Sequence, residues 1–327
     1  MPKYTILSII LTFSLCLTAK TKTPHFLQPG DSIAIISPAS APNPLLIQNA
    51  VEVLTEWGYK PVVGKHAADK FGTFGSTIPN RLSDLRWAFE NPSIKAVLAT
   101  RGGYGCVQLL CELPSNYFKK YPKWMIGFSD ITALHSALVS NGIQSIHASM
   151  AEPMQKFGGK DTCSVVLRNL LAGELPTYVV NPNSYNRLGK SSGILLGGNL
   201  SILSDMMGSH ADMLKNNDNI ILFIEDLSES IENVDRMLHH LMICGIFDRA
   251  KGVIVGNFKG YKPSQDYQDM YDLVKETLSK YNFPVAYNFP VGHVDVNFPL
   301  IEGANVTLDV AQDKVTLKYD KSDSQAY

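Results

Sequence analysis

Hydrophobic and polar positions follow two rhythms along this chain, and the switches between them mark out most of its elements. Asp31-Ser32-Ile33-Ala34-Ile35-Ile36-Ser37-Pro38 is a short apolar run ending in a polar turn, the pattern of a buried strand. Leu45 to Trp57 then carries Leu46, Ala50, Val51, Val53, Leu54 and Trp57 at helical spacing, and Gly58 stops it. Pro61-Val62-Val63 predicts a second strand, and Asn80 to Phe89 an amphipathic helix ended by Asn91-Pro92. Ile94 to Thr100 predicts a third strand and Trp124 to Phe128 a fourth. Strands alternating with helices predict an α/β fold with a parallel sheet covered on both faces.

The texture changes after Asn181 to Ser192, a stretch rich in Asn, Ser and Gly that predicts an interdomain linker. Beyond it, Ile194-Leu195-Leu196, Ile220 to Ile224, Gly252 to Val255 and Val306 to Val310 predict short strands. Helices are expected near Glu232 to Met242 and Tyr267 to Lys280. The expected organisation is an α/β domain over 26–175, a linker over 176–192, a smaller β-rich domain over 193–318 and a tail over 319–327. No internal repeat is visible.

The first residues stand apart. Lys3 precedes an uncharged stretch from Tyr4 to Ala19, the pattern of a secretory signal over 1–19 with cleavage after Ala19. That stretch is too short for a comfortable membrane span, which needs roughly 20 apolar residues. A lipid on Cys16 is a competing reading, opposed by the bulky Leu15 before it. The expected location is the periplasm or cell envelope, with the cytoplasm as the alternative.

Composition narrows the picture. The chain has 327 residues, 45% of them hydrophobic, and a formal net charge of -1, so it offers no basic field to collect nucleic acid. Cys106, Cys111, Cys163 and Cys244 show no C-x-x-C spacing and no accompanying histidine cluster, which argues against zinc. They are expected as four buried thiols. Leu188-Gly189-Lys190-Ser191 imitates the end of a phosphate-binding loop, but Ser184 stands where the first glycine belongs and no buried strand leads in.

Candidate chemistry centres on Ser129. In Trp124-Met125-Ile126-Gly127-Phe128-Ser129-Asp130-Ile131-Thr132, an apolar strand enters a turn, presents a serine and runs into a helix. That geometry lifts a hydroxyl above the sheet and aims the next backbone N–H at the same point. Arg101-Gly102-Gly103-Tyr104-Gly105 follows the preceding strand, so Gly103 N–H and Asp130 N–H are the candidate oxyanion donors. A serine nucleophile needs a base. Of eight histidines, His25, His66, His210, His239 and His240 suit other roles, and His135 should point away from the elbow. His147 and His293 remain, the latter in a Gly-flanked loop. Glu225 and Asp226 end an apolar strand, and alternation lets only one of them face the site. That carboxylate would orient the imidazole; two solvated strand-end charges are the rival reading.

Together these segments resemble the serine LD-carboxypeptidases, the family of murein tetrapeptide carboxypeptidases and microcin C immunity peptidases. The resemblance runs from about Pro29 to Asp309. It rests on Gly30-Asp31-Ser32-Ile33-Ala34, Thr100 to Gly105, Gly127 to Thr132, Gly197-Gly198-Asn199-Leu200-Ser201, Phe223-Ile224-Glu225-Asp226 and Gly292-His293. It implies a flavodoxin-like N-terminal domain, a β-rich C-terminal domain and a triad of Ser129, Glu225 and His293 between them. It further implies a murein-derived peptide as substrate, cut to release a terminal D-residue, and neither metal nor organic cofactor. Arg101 is a candidate for holding the substrate's terminal carboxylate. The chain departs from the family pattern at His147-Ala148-Ser149-Met150, at Phe128 and at Ser230 to Arg236, none of which touches the triad. Hydrolysis of a peptidyl- or aminoacyl-adenylate antibiotic, and an exported solute-binding protein with an idle serine, are the other readings. A homodimer is left open.

Overall fold

The computed structural model describes residues 21–320; the signal expected over 1–19 and most of the tail lie outside the described residues. Five strands build the first sheet from the N-terminal half: β1 (Ser32–Ile36), β2 (Lys60–Val63), β3 (Ile94–Ala99), β4 (Trp124–Gly127) and β5 (Ser145–His147). The second half supplies β6 (Thr177–Val180), β7 (Gly189–Asn199), β8 (Ile220–Leu227), β9 (Ala250–Lys259), β10 (Val285–Tyr287), β11 (Leu300–Glu302), β12 (Asn305–Val310) and β13 (Val315–Tyr319).

The first sheet runs β11-β5-β4-β3-β1-β2, with β1 to β5 parallel as the alternating pattern predicts and in the flavodoxin-like order that the resemblance implies. Its central strands are buried on both faces, which is why they read as continuous apolar runs. The helix Pro44–Glu56 is set locally. Asn43 Oδ1 accepts the Leu45 N–H at 3.1 Å, Pro44 opens the first turn, and Gly58 follows the helix at φ 88°, a value that favours glycine. Leu46, Ile47, Ala50, Val53 and Leu54 form its buried face.

The second sheet runs β10-β9-β8-β7-β12-β13-β6, with β7 to β10 parallel and the other three antiparallel. The stretch expected as linker gives four residues to β6 and starts β7, so Lys190 and Ser191 are ladder residues paired with β12. A phosphate-binding loop is thereby excluded there.

One strand crosses over. β11 comes from the second half but pairs antiparallel with β5, Leu300 opposite His147. One apolar core is continuous between the sheets, with Ile126, Ile146 and Leu300 in the same cluster as Leu195, Phe223 and Ile254. The four thiols divide differently from expectation. Cys106 and Cys163 are buried, whereas Cys111 and Cys244 end surface helices and are exposed; all four are free.

Candidate active site

A cleft of about 810 Å³ opens where the carboxyl ends of β1, β3, β4 and β5 face the loops of the second sheet. The first sheet contributes the segments after these strands, including Arg101 to Gly103, Phe128 to Asp130 and Ser149 to Met150. The second contributes Asn199, Asp226, Lys259 and His293. Both expected halves of the chemistry therefore meet in one cavity.

Ser129 sits at a strained turn. Its φ is 63°, a left-handed value that costs a non-glycine residue roughly 1–3 kcal/mol and persists only where the surroundings hold it. Two glycines allow the fit. A Cβ on Gly127 would meet Ile131 Cγ1 at 2.8 Å, and one on Gly102 would meet Ser129 Cβ at 2.9 Å. Ser129–Ile131 then forms a 3-10 turn leading into the helix Thr132–Ser140. At such a start the N–H groups lack intrahelical acceptors, which leaves Asp130 N–H available to a ligand. The Asp130 carboxylate is occupied elsewhere, accepting the Cys106 N–H at 2.9 Å and so tying the elbow to the glycine loop. Gly103 lines the cleft in a positive-φ conformation (113°), and a Cβ there would collide with Ser40 Oγ.

Glu225 and His293 form a pair across 68 residues of sequence. His293 Nδ1 lies 2.7 Å from Glu225 Oε2, and Glu225 is fully buried. A carboxylate only accepts, so Nδ1 carries the proton and the Nε2 lone pair is free to act as a base. Burial pushes the His293 pKa down, but the hydrogen bond to Glu225 and the charges of Glu225 and Asp226 outweigh it, and the net shift is upward. Gly292 makes the approach possible, because a Cβ there would meet Glu225 Cβ and Oε2 at 2.8 Å. The Phe128 ring packs against the imidazole with centroids 4.9 Å apart, so the residue before the nucleophile also touches the histidine. Among the described residues no hydrogen bond joins Ser129 to His293. Such bonds are often long in unliganded enzymes and tighten around substrate.

Asp226 also lines the cleft, so strand alternation does not remove it from the site as expected, but its hydrogen bonds go elsewhere than His293. It accepts from Asn199 Nδ2, Ser201 N–H and Leu227 N–H, and burial raises its pKa to about 6 against those bonds. Arg101 makes no ion pair among the described residues. It reaches the Ala41 carbonyl at 3.4 Å with its guanidinium at the cleft wall. His135 is buried between Ser145 Oγ and the Gly127 carbonyl, away from the serine hydroxyl. His147 is buried too, and its partner is Asn297 rather than Ser129. Asn297 and Lys259 carried no signal in the sequence: each belongs to a loop or strand end whose neighbours are set by tertiary packing alone.

Comparisons with known proteins agree with this architecture. Residues 33–148 match the LD-carboxypeptidase N-terminal domain and residues 192–308 the LD-carboxypeptidase C-terminal domain, together more than half of the chain. The murein tetrapeptide carboxypeptidase of Pseudomonas aeruginosa is 29% identical over 295 residues, which cover 85% of this chain and 93% of that protein. The crystal structure of muramoyltetrapeptide carboxypeptidase from Oxalobacter formigenes superposes with a TM-score of 0.79 at 27% identity, covering 89% of this chain and 99% of that one. An MccF-like protein from Bacillus anthracis gives 0.79 at 25% identity, covering 91% and 99%. With both domains matched in order, the chain belongs to the LD-carboxypeptidase family of peptidases.

Proposed function

We propose that this protein is a serine LD-carboxypeptidase that releases the terminal D-residue, D-alanine, from murein tetrapeptide. The carrying observation is the buried Glu225–His293 pair, at 2.7 Å, on the wall of the cleft into which the strained Ser129 elbow opens. In this reading His293 Nε2 takes the Ser129 proton as Oγ attacks the scissile carbonyl. The C–N bond breaks as His293 returns that proton to the leaving amine of the D-residue. Water then enters, His293 takes one of its protons, and attack on the acyl ester frees the shortened peptide and restores Ser129. Glu225 holds the imidazole by Nδ1 and stabilises its protonated form. Gly103 and Asp130 N–H groups receive the oxyanion. Arg101, which makes no ion pair among the described residues and stands at the cleft wall, supplies a fork for the terminal carboxylate. The names of the Pseudomonas and Oxalobacter relatives support the murein tetrapeptide as substrate.

The test is mass spectrometry of purified murein tetrapeptide incubated with the protein. Loss of one D-alanine, abolished by Ser129→Ala, is the expected result; an uncut tetrapeptide would overturn the substrate assignment.

We also propose that the enzyme is exported, on the strength of Lys3 and the uncharged run to Ala19. Fractionation with N-terminal sequencing decides it. A mature start near Lys20 outside the cytoplasm supports export, and an intact Met1 in the cytoplasmic pool contradicts it.

A further inference from the structure

The loop carrying His293 is pinned from beneath by a residue that does not line the cleft. Asn297 is fully buried, its Oδ1 accepts the Gly292 N–H at 2.9 Å, and the same oxygen lies 3.3 Å from His147 Nε2. Gly292 is the residue before the base. His147 ends β5, the strand beside β4 and its Ser129 elbow. A single amide oxygen thus joins the nucleophile's sheet to the loop of the base.

The orientation of that amide is fixed by chemistry. Gly292 N–H is a donor, so it must meet Oδ1 rather than the Nδ2 group. The oxygen then requires a proton on His147 Nε2, leaving His147 Nδ1 bare. Burial, with His135 and His293 nearby, pushes the His147 pKa down to about 3, so this ring stays neutral and keeps one proton. It brings no positive charge beside His293. Gly292 itself needs an outside anchor, because it stands at φ 114°, and only the turn from Val294 N–H to Gly292 O at 2.9 Å braces it locally. Without Asn297 its N–H would be buried with no acceptor, a loss the loop can relieve only by moving.

We infer that Asn297 is a positioning residue for His293, setting the imidazole against Glu225 and Ser129 through the Gly292 N–H, with His147 as its anchor on the first sheet. The inference rests on the Ser129–Glu225–His293 reading, and its test is independent of the substrate. The rate at which a fluorophosphonate labels Ser129 is measured across pH in the wild type, Asn297→Leu, His147→Phe and the double variant, with melting temperatures alongside. Asn297→Leu is nearly isosteric and cannot accept. It is expected to label about 10–100-fold more slowly, the range in which orienting partners act. The acid limb of its pH profile should move to lower pH, since a displaced imidazole loses the raising effect of Glu225. His147→Phe should slow labelling by less, and the double variant should be no slower than Asn297→Leu alone. A packing role would lower the melting temperature and leave both rate and limb in place, and that result overturns the inference. If Asn297→Leu does not fold, His147→Phe decides: a slower rate with a shifted limb supports the assignment, and an unchanged rate overturns it. A wild type that does not label at all contradicts the triad itself, an outcome separable from every other.

Discussion

Ser129 and His293 line the same cleft but are placed by different means. The serine is set by what lies next to it in sequence: an apolar strand, Gly127, and a helix that starts at once. The histidine is set mainly by contacts from elsewhere in the chain, with one anchor inside its own loop. Glu225 comes from β8, Asn297 pins the loop, and the Phe128 ring arrives from the other sheet. A nucleophile fixed by a local turn tolerates remote change, whereas a base fixed by two distant contacts and a buried loop anchor does not. The comparison therefore makes the acid–base side the more fragile half of the site.

The largest effects should come from removing either half outright. Ser129→Ala, Glu225→Ala and His293→Ala are each expected to lower kcat by roughly 10³-fold or more with the fold retained, and pairs of them should be no worse than the stronger single change. Steady-state kinetics with circular dichroism checks this; additive losses would mean the three do not act as one unit.

Glu225→Gln sharpens the comparison by keeping shape and removing charge. His293 must be neutral to act as base, and its pKa is raised in the wild type, so activity should rise as pH climbs through a value above the ordinary histidine range. The amide loses Glu225's raising contributions and leaves burial opposed by the weaker effect of Asp226. The acid limb of kcat/KM should then move to lower pH while the plateau falls on the order of 10²–10⁴-fold. An unmoved limb would mean that another group is titrating.

Much of the nucleophile side was legible in the sequence for this same reason. Strand periodicity, Gly127 and the helix that follows all lie within a dozen residues of Ser129, and the glycine loop after β3 proved adjacent because β3 and β4 pair. The base side was not readable in that way. Spacing left both His147 and His293 as candidates, with His293 favoured by its Gly-flanked loop, and it was the ordered family motifs that singled it out. The structure explains why both are near the site: His147 ends the strand next to the elbow, but its ring is turned to Asn297. β11 went unseen because three residues after Pro299 carry no period. The linker was overdrawn because the polar residues of β7 face solvent beyond the core, where a strand and a loop have the same composition.

Gly198 tests how tightly the halves are held together. It stands at φ 129°, and a Cβ would meet Thr132 Cγ2 at 2.7 Å, with Thr132 on the elbow helix and Gly198 on β7. Gly198→Ala should cost about 1–3 kcal/mol in unfolding free energy, the usual penalty for overpacking. Denaturant melts check this, and a wild-type midpoint would mean that the contact yields freely. Arg101→Ala should have the smallest effect on chemistry. Loss of one charge-assisted contact predicts a KM raised by roughly tenfold or more with kcat little changed. A fall in kcat with constant KM would move Arg101 from substrate binding to the reacting centre.

The central claim is that Ser129 is the activated nucleophile of this cleft. Intact-mass and peptide mapping after fluorophosphonate treatment tests it most directly. The account predicts one adduct per chain, on the peptide containing Ser129, and its disappearance in His293→Ala; an adduct on another residue, or equal labelling without His293, would contradict it.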